Sequence, residues 1–71
     1  MRYKIVYDRP GRMRVRCGAG VFTAEQGYGI ADLLREGADA HKVEVCPING
    51  SVLICYPESN RQTVLAILNG L

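Results

Sequence analysis

Tryptophan is absent from this 71-residue chain, and histidine occurs once, as His41. No apolar run approaches the ~18–20 residues that a helix needs to cross a bilayer. The start has no basic segment followed by an apolar one, so no export signal is expected. Cysteine is scarce and odd in number. Cys17, Cys46 and Cys55 are irregularly spaced, unlike a disulfide framework, and the reducing cytoplasm is the expected location. Catalytic groupings are missing too: no nucleophile stands with a base and an acid, and no glycine loop has phosphate-binding spacing. An enzymatic role for these residues is therefore not expected. The length allows one small domain, residues 1–71, near the lower limit for a self-sufficient core. A helix-stop glycine, Gly70, closes the last apolar stripe, and the chain is expected to be an N-terminal part of a longer protein.

What the chain does contain is arginine, concentrated near its start. After the Pro10-Gly11 turn signal, Arg12, Arg14 and Arg16 alternate with Met13, Val15 and Cys17. A strand sends successive side chains to opposite faces, so the three guanidiniums share one face. Residues 1–16 hold Arg2, Lys4, Arg9, Arg12, Arg14 and Arg16 against Asp8 alone, five net positive charges. The remainder holds Arg35, Lys42 and Arg61 against six carboxylates, so the overall +2 conceals a strong asymmetry. Arg9, Arg12, Arg14 and Arg16 are the candidate residues for docking an anionic partner, because arginine's planar fork meets carboxylate or phosphate at two points.

Around this strand the pattern is α+β. Tyr3–Tyr7 alternates as a second strand, with Tyr3, Ile5 and Tyr7 on one side and Lys4 and Val6 on the other. The segment between is either a hairpin turn or a bulge in one bent strand. Thr23-Ala24-Glu25-Gln26 fits a capping box, and Tyr28, Ile30, Ala31, Leu33 and Leu34 follow as a helical stripe ending at Gly37. Gly27 and Gly29 inside that helix are read as points of close packing on the sheet. Strands His41–Pro47 and Ser51–Pro57 are expected to pair through a two-residue Asn49-Gly50 turn, with Cys46 opposite Leu53 and Glu44 opposite Cys55. A final helix runs from about Ser59 to Gly70. The order matches a ferredoxin-like (βαββαβ) antiparallel sheet with two helices on one face, the last strand missing or replaced by the N-terminal one.

Pro10–Arg16, Asn49–Ile54 and Gln26–Ile30 together resemble the heavy-metal-associated (HMA) domains, in a divergent arginine-rich branch found at the N-terminus of metal-translocating P-type ATPases. The resemblance implies a non-catalytic cytoplasmic accessory or regulatory domain, partnered with its parent transporter and connected in some versions with iron handling. The better-known branch binds soft metal through Cys-x-x-Cys, and here Thr23 and Gln26 stand at those positions. No cofactor or metal ligand is carried over. Cys46 and Cys55 remain weak metal candidates, since the expected register makes them diagonal neighbours with Cα atoms ~5.5–8 Å apart. The expected partner of the arginines is an acidic protein surface, a phosphate species or a lipid headgroup layer. The alternatives are a soft-metal (copper or zinc) chaperone and an RNA-binding module. The second is disfavoured because no aromatic pair is assigned to the basic face.

Overall fold

The computed structural model describes residues 2–71. Strands β1 (Lys4–Arg9) and β2 (Arg12–Arg16) form a hairpin that closes through Pro10 and Gly11, whose φ of 76° is the left-handed conformation glycine tolerates. Helix α1 (Ala24–Ala38), strands β3 (Lys42–Cys46) and β4 (Ser51–Cys55), a short 3-10 turn (Glu58–Asn60) and helix α2 (Arg61–Asn69) follow. The four strands make one antiparallel sheet in the order β1-β2-β4-β3. The N-terminal strand thus occupies the edge beside β2.

The core lies on one side of this sheet. Met13, Val15, Val43, Val52, Ile54 and Tyr56 meet Ile30, Ala31, Leu34 and Ala38 of α1 and Val64 and Leu68 of α2. Complete burial of one such aliphatic side chain contributes about 1.5–3 kcal/mol, and this single cluster supplies the fold's apolar drive. The capping box forms as expected: Thr23 Oγ1 accepts from the Gln26 N–H at 3.1 Å, and Gln26 Oε1 accepts from the Thr23 N–H at 2.9 Å. Gly27 is buried where a Cβ would stand 3.0 Å from Val45 Cγ2, so its lack of a side chain sets the α1–β3 distance. Tyr28 and Leu33 lie off the buried stripe, which is Gly27, Ile30, Ala31, Leu34 and Ala38; both are exposed. Helix α1 runs one residue past Gly37 to a left-handed cap at Asp39. Asn60 Nδ2 then donates to the Ala38 carbonyl at 3.0 Å, tying the start of α2 to the end of α1.

The β3–β4 register differs from the expected one by two residues. Cys46 pairs with Ser51, Glu44 with Leu53 and Lys42 with Cys55, leaving a four-residue loop, Pro47–Gly50. Two features favour the longer loop. Asn49 Oδ1 accepts from both the Ser51 N–H (3.1 Å) and its hydroxyl (2.7 Å). Gly50, with φ 67°, is buried against Gly18, and its carbonyl accepts from the Cys17 N–H at 2.7 Å. A shift of two keeps every side chain on its expected face.

Candidate functional site

The face of the sheet away from the helices carries the arginines. From β2 it receives Arg12, Arg14 and Arg16, and from β1 Lys4 and Arg9, their cross-strand partners being Arg16 and Arg12. Strand β3 adds Lys42 and Glu44, which pair at 3.2 Å. Among the strand residues of this face the balance is six cations to one carboxylate, and that carboxylate is already engaged. Arg14 and Arg16 have no ion-pair partner among the described residues. Residues two apart on one strand face have Cα atoms about 6.8 Å apart, within a Debye length, so these cations raise a common positive potential.

Sequence reasoning placed Tyr7 on the opposite side from Lys4, and the structure corrects this. A β-bulge at Val6 breaks the alternation, because Ile5 pairs with Val15 while Tyr7 pairs with Arg14. One extra residue on one strand turns everything beyond it to the other face. Tyr7 therefore joins the arginines, with Arg9 Cζ 5.9 Å and Arg12 Cζ 6.0 Å from its ring centroid. Exposed cation–π contacts of this kind are worth about 0.5–1 kcal/mol each and offset part of the mutual repulsion. Asp8 is sent to the helix side, where Oδ2 accepts from Arg61 at 2.7 Å. That hydrogen bond raises the Arg61 pKa further, so the guanidinium stays charged. A signal was present in the sequence. Counting back from a Pro10-Gly11 hairpin places Arg9 and Tyr7 on the arginine face, whereas counting forward from Tyr3 places Tyr7 on the other; only an extra residue reconciles the two.

Leu53 is the apolar floor of this face, 6% exposed between its cross-strand neighbours Arg14 and Glu44. Long charged side chains cover an aliphatic residue with their stems while their heads stay in water. A depression of about 300 Å³ is lined by Tyr7, Arg12, Arg14 and Leu53. A second of about 190 Å³, sharing Arg14, is lined by Val6, Arg16, Asn49 and Ser51. A larger depression, about 690 Å³, lies elsewhere, along Val21, Phe22, Ile30 and Leu33.

The cysteines do not come together. With Cys46 opposite Ser51 and Cys55 four residues further along β4, about 13 Å of strand separates them, and the expected diagonal pair does not exist. The four-residue loop is the cause. Among the described residues no group of three or more His, Cys, Asp and Glu side chains is arranged to hold a metal ion. Cys17 packs at the margin of the core, and its burial raises the thiol pKa, which favours an unreactive thiol. Thr23 and Gln26 spend their polar atoms on the helix cap. No helix is long and apolar enough to cross a membrane among the described residues. In comparisons with family models, curated proteins and solved structures, nothing matches this chain.

Proposed function

We propose that this is a non-catalytic docking domain whose open sheet face binds an anionic partner, and that it serves a transition-metal-transporting P-type ATPase as a cytoplasmic accessory module. The observation that carries the docking reading is the exposed cationic face, on which Arg14 and Arg16 have no ion-pair partner among the described residues. Unsatisfied charge of one sign on a sheet face favours a complementary surface. The attachment to a transporter rests on the sequence resemblance of Pro10–Arg16, Gln26–Ile30 and Asn49–Ile54 to the arginine-rich HMA-like branch. We further read the sheet as a variant of the ferredoxin-like pattern, with β1 standing at the edge beside β2 where a final strand would pair.

The test replaces Arg12, Arg14 and Arg16 by glutamine. All three are exposed, so the melt is expected to move only slightly, exposed charges contributing about 0–1 kcal/mol each. Retention on a polyanionic heparin matrix is expected to drop to that of a neutral protein. Parent-like retention in the triple variant would show that these arginines are only a solvated face. Parent-like metal tolerance in cells carrying it, with retention lost, would remove the transporter role and leave the docking role.

A further inference from the structure

The chemistry of this face goes beyond charge, and it identifies the partner. Resting on the docking reading above, we propose that the open sheet face lies on an anionic lipid headgroup layer. Three observations point there together. The cations form a patch across β1 and β2 rather than lining a deep cavity, as contact with a plane of charges requires. Exposed apolar side chains are set among them: Val6 at 48%, Tyr7 at 42%, and Ile48 at 86% in the loop whose Asn49 borders the same face. An acidic peptide or a phosphate would leave these aliphatic groups in water, whereas a headgroup layer accepts aliphatic tips below its charged plane and tyrosine at its boundary. Finally, charge is segregated. Glu25, Asp32, Glu36, Asp39 and Glu58 lie on α1, its cap and the 3-10 turn, and Asp8 is held on the helix side by Arg61. The molecule is therefore an electric dipole that a negative membrane orients sheet-down.

Single-stranded nucleic acid fits less well, since it is held by several stacking platforms and Tyr7 is the one aromatic on this face among the described residues. Each lysine or arginine held near an anionic leaflet contributes roughly fivefold in partition, so removal of Arg12, Arg14 and Arg16 is expected to lower binding on the order of 100-fold. The experiment is flotation of the 71-residue chain with phosphatidylglycerol–phosphatidylcholine vesicles and with phosphatidylcholine alone. Binding is expected only to the first, with release by salt. A Tyr7→Trp variant should shift its emission to the blue on binding and be quenched by bromine-labelled acyl chains. Val6→Ser with Ile48→Ser should weaken binding while leaving its salt dependence unchanged. Failure of the parent to float, alongside arginine-dependent binding to heparin or to a homopolymeric RNA, overturns the lipid proposal and leaves the docking reading standing. Flotation without blue shift or quenching also overturns it, as adsorption by charge alone. Binding to neither vesicles nor polyanions removes both.

Discussion

Gly50 is the position at which the smallest chemical change is expected to cost most. A methyl group there would stand 1.8 Å from the Gly18 carbonyl oxygen and 2.6 Å from its carbon, both backbone atoms that cannot swing aside. Its φ of 67° charges any L-residue about 1–2 kcal/mol in addition. Moving the two loops apart breaks the 2.7 Å bond from Cys17 N–H to the Gly50 carbonyl, worth about 0.5–1.5 kcal/mol net. Gly50→Ala should therefore lose about 1.5–3.5 kcal/mol, a large part of the 5–15 kcal/mol typical of a domain. For a chain of this size that is roughly 10–20 °C in melting temperature by circular dichroism. The control is Gly20→Ala. Gly20 shares the left-handed conformation, φ 73°, but has nothing within 4 Å of the added group. Its cost should be only the backbone preference, partly offset by a stiffer unfolded chain, about 1 kcal/mol or less. Equal losses in the two variants would refute the contact between the β2–α1 connection and the β3–β4 loop.

Further outcomes are expected at Gly29, Cys17 and Tyr56. Gly29→Ala should stabilise the domain by about 1 kcal/mol in urea titration, because a side chain there meets nothing within 4 Å and helix propensity alone decides; a loss would reveal a neighbour the fold does not show. Burial raises the pKa of both Cys17 and Tyr56, with Asp8 adding to the rise at Tyr56. The unfolded chain then gives up these protons first, so stability should hold level below about pH 9 and fall as pH rises beyond it. Tyr56→Phe should flatten the upper part of that fall. It should also raise stability near neutrality, since the Tyr56 hydroxyl is buried with no hydrogen-bond partner among the described residues. An unchanged alkaline profile would show that the phenol is not the titrating group.

The elements were legible in the sequence where local chemistry decides them. The Thr23–Gln26 box set the start of α1, and the alternation of Arg12 to Arg16 placed β2 and its two faces. The parity of β3 and β4 was also legible, because a register shift of two leaves Val43, Val45, Val52 and Ile54 facing the core. What was hidden depended on contacts distant in the chain. The two-residue Asn49-Gly50 turn is a good local solution, yet Gly50 is recruited to meet Gly18, more than thirty positions earlier, and the loop lengthens to reach it. The bulge at Val6 likewise shows its effect far along the chain, since it turns Asp8 toward Arg61 of α2. The expected diagonal pairing of Cys46 and Cys55 depended on the short turn, and it is lost with it.

The extra residue in β1 has one more consequence. Strand β1 is an outer strand, and its Ile5, Val6 and Tyr7 are all exposed, a combination that invites another chain to add itself and begin a fibre. A bulge kinks the ladder so that a straight newcomer cannot match donors and acceptors along its length, and Lys4 and Arg9 at the two ends repel a second copy of the same strand. A domain crowded on a surface by its own charge would meet its copies at high local density. The irregularity that turns Tyr7 outward also keeps those copies separate.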